Sequence, residues 1–239
     1  MSAIILFKQA WERCQQLSAL HTHFSVNISE VLQPDELLRA EWVARVSAMD
    51  LFFHELVAET MVLIFEGKVS ASKKYVEFKI SMKSFDEMRQ PDFSSMLVDT
   101  QKASAAKYFE SEVREYLQNH TLQRPEKISE LLKYCTDIDL WQKLAVKNDG
   151  LVDSTLKGEI DINKKRQNIR EKLTAIIDRR NQISHQSDLQ PRNIPYEIER
   201  NPWPIKKAEL QYVKEFIELL VQSSHEILVD DTNERKVNA

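Results

Sequence analysis

Three glycines in 239 residues constrain this chain more than any other feature. Gly67, Gly150 and Gly158 are the whole set, where average usage is roughly 7%. Glycine is the default residue wherever backbone turns left-handed or approaches a phosphate closely. A P-loop or a dinucleotide fingerprint needs two or three glycines within a few residues, and no two here are that close. Sandwiches and barrels need glycine-rich turns about every dozen residues, so they are excluded too. What remains is an all-α chain: an elongated helical bundle of about five to seven helices. One short irregular or extended insertion interrupts it near residues 68–95. The apolar share of 42% suffices for a sizeable core.

Hydrophobic spacing places the helices. Ile5, Leu6, Trp11, Leu17 and Leu20 mark a first helix over 3–23. Pro34 opens a second, in the first-turn position proline favours. There Leu38, Trp42, Val46, Met49, Phe53, Leu56, Thr60 and Leu63 step by threes and fours for about eight turns, and Gly67 stops it. Tyr75 to Ile80 alternates weakly and reads as extended. Periodicity returns over 97–119, with Leu97, Ala105, Phe109, Val113 and Leu117. Arg124-Pro125 opens one further helix carrying Ile128, Leu131, Leu132, Leu140, Trp141, Leu144 and Val146. Asn148-Asp149-Gly150 is a turn. Residues 160–186 are helical, 187–204 hold four prolines and form a loop, and 205–229 close the fold with Leu210, Val213, Phe216, Ile217, Leu220 and Ile227. One domain over 1–229 is expected, with its core over 35–225 and a disordered polar tail at 230–239.

The net charge of −4 argues against a constitutively DNA-coating or membrane-surface protein. The distribution is uneven: Lys157 to Arg192 holds nine basic and five acidic residues. That excess fits either a polyanion-binding face or a solvated helix of mixed charge. Cys14 and Cys135 are too few and too distant for a disulfide framework, which points to buried thiols in a reducing compartment. No secretion signal opens the chain, and the longest strongly apolar run, Met61 to Phe65, is far too short for a membrane span. A cytoplasmic protein is expected, and the glycosylation-type triplets at Asn27 and Asn119 would then go unmodified.

The chemistry-bearing motifs are few. His54-Glu55-Leu56-Val57-Ala58 has alanine where a zinc-protease helix needs its second histidine. His21 and His23 have no ligand partner at metal spacing, and no Gly-x-Ser-x-Gly elbow exists. No metal or cofactor is expected. The informative stretch is Arg179-Arg180-Asn181-Gln182-Ile183-Ser184-His185-Gln186-Ser187-Asp188. Ile169, Leu173, Ile176 and Ile183 share a helical stripe whose missing position, 180, is arginine. A guanidinium on an apolar stripe is costly unless paired or turned to a polar cleft. Asn181 and His185 are neighbours one turn apart. A guanidinium grips phosphate with two parallel hydrogen bonds, and an imidazole exchanges protons near neutral pH. The trio suffices for attack of an RNA 2′-hydroxyl on its own phosphodiester. From the residues alone, a structural arginine paired to a carboxylate beside a surface histidine is the reading that stands ahead.

Arg180-Asn181-Gln182-Ile183-Ser184-His185 resembles the Arg-Asn-x-x-x-His signature of the HEPN superfamily, an all-helical group rich in metal-independent endoribonucleases. Together with helical Met49-Asp50-Leu51-Phe52-Phe53-His54-Glu55-Leu56-Val57 upstream, it is similar to the RiboL-PSP-type branch found in bacterial defence and toxin settings. The resemblance covers roughly residues 35–225. It implies an endoribonuclease acting on RNA, a homodimer with facing signature helices, and a composite active site. His185 would be the general acid/base, Arg180 the phosphate binder and Asn181 the positioning residue, with Arg179 an alternative arginine. Asp50, His54 and Glu55 would be auxiliary, in reach of the signature arginine. Lys164, Lys165, Arg166 and Arg170 would track the RNA backbone. An antitoxin or defence sensor encoded beside it is the implied partner. A non-catalytic module binding nucleotide, RNA or protein is the alternative.

Overall fold

The structure, a computed structural model, describes residues 2–27, 34–89, 98–186, 188–189 and 202–236. Leu97, most of the proline loop with Pro191 and Pro195, and Ile28 and Ser29 of the first glycosylation-type triplet lie outside these residues. The described residues form eight α-helices: α1 (Ala3–Asn27), α2 (Asp35–Phe65), α3 (Met82–Arg89), α4 (Val98–Gln118), α5 (Pro125–Leu132), α6 (Leu140–Lys147), α7 (Ile162–Gln186) and α8 (Lys207–Glu234). Among them there is no named strand, only the isolated bridges Val69–Lys236 and Leu189–Pro202. The all-α class expected from the scarcity of glycine is the one observed.

The centre is α2. It packs against α1, α4, α5, α7 and α8, so its buried residues run almost all round and not along a single stripe. Val46, Met49, Phe52, Phe53 and Val57 are wholly covered. A helix apolar on all sides is one that neighbours enclose. Its end follows the glycine rule: Gly67 has φ +73, and the Lys68 amide reaches the Leu63 carbonyl at 2.9 Å. A side chain there would be strained. On α1 the buried stripe is Ala3, Phe7, Trp11 and Cys14, while Ile5 and Leu20 are exposed. The residues at three- and four-residue spacing define that face, and Ile5 and Leu20 fall outside it.

Three expectations need correction. The described residues hold eight helices, because the single helix expected over 125–146 is two and α3 lies in the expected insertion. Thr136 Oγ1 accepts from the Ile138 amide at 3.2 Å, and Asp139 caps α6 by accepting from Gln142 N at 3.2 Å. These side chains compete with the backbone ladder and end α5 early. Val146 consequently faces solvent. The insertion is also not extended where described: Tyr75–Glu77 is one 3₁₀ turn, and α3 follows. Tyr75 and Phe78, three apart, both turn onto Phe109, which suits a 3₁₀ turn. Lastly, 230–236 is no disordered tail. Helix α8 runs to Glu234, Thr232 is buried, and the Arg235 guanidinium donates to Ser70 O at 2.7 Å and Cys135 O at 2.6 Å. Residues 237–239 lie outside the described set.

Both cysteines are free and buried. Burial pushes each thiol up from its ordinary pKa, which keeps them protonated and unreactive.

Candidate active site

Helix α7 carries the signature. Its first turn is capped by Asp161, whose Oδ1 accepts from Asn163 N at 2.9 Å. Ile169, Leu173, Ile176 and Ile177 bury its inner face, and Ile183 packs partly against the same core. The Trp42 indole N–H of α2 donates to Ile176 O at 3.1 Å, which fixes the two helices in register. A second tie lies beyond the helix end. Asp188 is 1% exposed at φ +56, and its amide reaches back to Gln182 O at 3.1 Å. Its Oδ2 accepts from Arg39 Nε and from Arg179 Nη2, each at 2.9 Å, and its Oδ1 lies 2.6 Å from Arg179 Nη1 as an ion pair. Its carbonyl accepts from Trp203 N at 2.7 Å, and Arg39 also donates to Trp203 O at 2.6 Å. One buried carboxylate therefore joins α2, the end of α7 and the strand-like start of the α8 approach.

This joint separates the two arginines. Arg179 is committed to Asp188. Arg180 is half-buried, and among the described residues it meets no carboxylate. Its one hydrogen bond there runs to Asn181 Oδ1 at 3.1 Å, and its Nε is buried without a partner. Asn181 is half-buried beside it. His185 stands exposed in the last turn of α7, with no hydrogen-bond partner among the described residues. Five residues of helix turn Arg180 and His185 about 140° apart, so within one chain they flank an edge of the helix and do not converge.

The auxiliary residues lie elsewhere. Arg39 meets the end of α7 and Trp42 meets Ile176, so α2 runs antiparallel to α7 and Asp50 falls further from the signature. Asp50 accepts from Leu122 N at 2.6 Å and Gln123 Nε2 at 2.9 Å. His54 Nε2 is 3.4 Å from Asp50 Oδ1. Glu55 takes both ends of the Arg114 guanidinium at 2.6 and 2.8 Å. These hydrogen bonds hold the Arg114 pKa above its ordinary value. Asp50, His54, Glu55 and Arg114 line a cavity of 360 Å³ between α2 and α4. None of them contacts Arg180 among the described residues.

The basic residues of α7 divide as well. Lys165 is buried against Asp149 at 2.6 Å and serves the fold. Lys164 is exposed, 3.5 Å from Glu159. Arg166 and Arg170 line a groove of 610 Å³, where they pair with Asp139 at 3.1 Å and Glu126 at 2.7 Å. The groove ends at Asp178, seven residues before His185 on the same helical face. It also carries Glu126, Glu171 and Asp178, so it is no uniformly basic track.

The missed residues are Arg39 and Trp203. Each lies more than a hundred residues or a whole loop away from its partner, and a lone arginine on a helix gives no sequence signal. Asp188 was visible at the end of the signature stretch, but nothing in sequence separates a buried ion-pair anchor from a loop aspartate. Among the described residues no three His, Cys, Asp or Glu side chains are grouped to hold a metal, and no helix is long and apolar enough to cross a membrane.

The described residues form an all-helical domain, and its class is HEPN-type. The RiboL-PSP-HEPN family model matches residues 11–230, and the chain belongs to that family. No curated protein and no solved structure matches it. HEPN-type domains serve as ribonucleases or nucleotide-binding modules.

Proposed function

We propose that the protein is a metal-independent endoribonuclease, acting as a toxin or anti-phage defence effector. One observation carries this reading. Of the two adjacent arginines, Arg179 is paired with Asp188, while among the described residues Arg180 meets no carboxylate and lies one to two turns from an exposed His185 that has no partner there. A purely structural arginine would be expected to show the reverse.

In the reaction, the His185 imidazole takes the proton from the ribose 2′-hydroxyl. The 2′ oxygen forms the new P–O bond, the P–O5′ bond breaks, and an imidazolium gives a proton to the leaving 5′ oxygen. Arg180 stabilises the added negative charge on the phosphoryl oxygens, and Asn181 orients its guanidinium. The products are a 2′,3′-cyclic phosphate and a 5′-hydroxyl. Because Arg180 and His185 diverge on one helix, the site is completed in a homodimer whose signature helices face each other across a two-fold axis. A partner encoded beside it would restrain the activity. The test is expression in bacteria. Wild type should arrest growth and create new RNA ends, and His185→Ala should do neither. Harmless wild-type expression with intact RNA would refute the reading.

The half-buried Arg180, held by Asn181, also fits a module that grips a nucleotide phosphate without cleaving it. Saturable nucleotide binding with no RNA turnover would favour that alternative.

A further inference from the structure

We propose that a pocket between α1, α2 and the start of α8 is a second binding site, for a compact organic anion. It is separate from the signature and does not depend on the ribonuclease reading. The cavity holds 190 Å³. Lys207 and Lys214, two turns apart on one face of α8, stand in its wall, and neither has an ion-pair partner among the described residues. By contrast Lys165 and Lys172 on α7 are paired with Asp149 and Asp153.

The remaining lining is built and not incidental. His21 is 5% exposed and Glu41 is 1% exposed. Glu41 adds no net charge, because the fully buried Arg45 guanidinium is paired with it and stacks 4.3 Å above the Trp11 ring. The Ser18 hydroxyl donates to the other Glu41 oxygen at 2.5 Å. With that pair neutral, the nearest other carboxylate is Asp35, half-exposed and 3.8 Å from His21 Nε2, so the two lysines outweigh it and an anion is favoured. Leu38 and Leu210 supply an apolar wall for a short carbon skeleton. At ~30 Å³ per water, the volume is on the order of six waters, which suits a small phosphorylated or carboxylated group.

The site has a route to the signature. Leu38 and Glu41 flank Arg39, the residue that holds Asp188 and with it the end of α7. An occupant that bridges α8 to these turns of α2 stiffens the same anchor.

Calorimetric titration of the full chain at fixed ionic strength tests this. Inorganic pyrophosphate and malonate, added separately, distinguish phosphate from carboxylate. At least one should bind saturably to wild type. The Lys207→Gln/Lys214→Gln double variant should bind at least tenfold more weakly, while Lys143→Gln binds as wild type does. Hydrogen exchange should slow at residues 38–41 on binding. The proposal is overturned if neither anion binds, if the double variant keeps its affinity within twofold, or if Arg180→Ala is the change that abolishes binding. None of these outcomes depends on RNA cleavage, which is measured separately.

Discussion

Asp188→Asn is the sharpest probe of how the signature is held. The substitution keeps the side-chain shape and an acceptor oxygen, and asparagine tolerates the left-handed φ of +56 at least as well as aspartate. It therefore removes the charge and little else. The carboxylate it replaces is wholly buried, with Arg39 at 7% and Arg179 at 18% side-chain exposure. Removing one partner of a buried pair costs about 3–5 kcal/mol, because the other charge is left uncompensated. Arg39 retains Glu36 at 2.9 Å and Trp203 O at 2.6 Å, and Arg179 is partly hydrated, so about 3 kcal/mol is expected. Urea unfolding followed by circular dichroism measures it. Arg39→Gln alone should cost a similar amount, and the double variant should cost less than the two together by at least about 1 kcal/mol. A loss under about 0.5 kcal/mol for Asp188→Asn, or simple additivity, would refute the idea that this ion cluster anchors the end of α7.

Other outcomes follow from the same geometry. His185→Ala should abolish cleavage while stability stays within about 0.5 kcal/mol, since an exposed side chain with no partner carries little folding energy; a large melting shift would instead make it structural. Arg180→Ala should slow cleavage by about 10²–10³-fold, comparable to losing one transition-state donor, and Arg180→Lys should not restore it, because an ammonium lacks the planar fork. Burial lowers the His225 pKa below its ordinary value. Between the folded and the unfolded pKa the unfolded chain binds the extra proton, so this group's contribution is intact above the unfolded value and is lost as pH falls toward the folded one. Thermal melts at pH 7.5 and 5 should accordingly converge more closely in His225→Gln than in wild type; an equal pH sensitivity would contradict that assignment.

The fold class was legible because glycine scarcity and three- and four-residue spacing are local properties. Helices α2, α7 and α8 follow directly from them. The errors arose where side chains intervened. Thr136 and Asp139 break a periodic run that apolar spacing alone would continue. Tyr75 and Phe78 obey a threefold turn because Phe109, distant in sequence, receives both. At the site, Arg180, Asn181 and His185 could be named from spacing and resemblance. Asn181 favours Arg180 over Arg179, but the pairing that occupies Arg179 could not be read, since it depends on Asp188 being buried against Arg39, a contact across 149 residues. For the same reason Asp50, His54 and Glu55 seemed within reach of the signature until the antiparallel register of α2 and α7 carried them to a cavity with Arg114.

The central claim is that the end of α7 cleaves RNA with side chains alone. The direct measurement is incubation of purified protein with total RNA in excess EDTA, followed by chemical identification of the new ends. Wild type should leave 2′,3′-cyclic phosphates and 5′-hydroxyls, with His185→Ala inert at equal concentration. Intact RNA with wild type, 3′-hydroxyl ends, or equal cleavage by His185→Ala would contradict it.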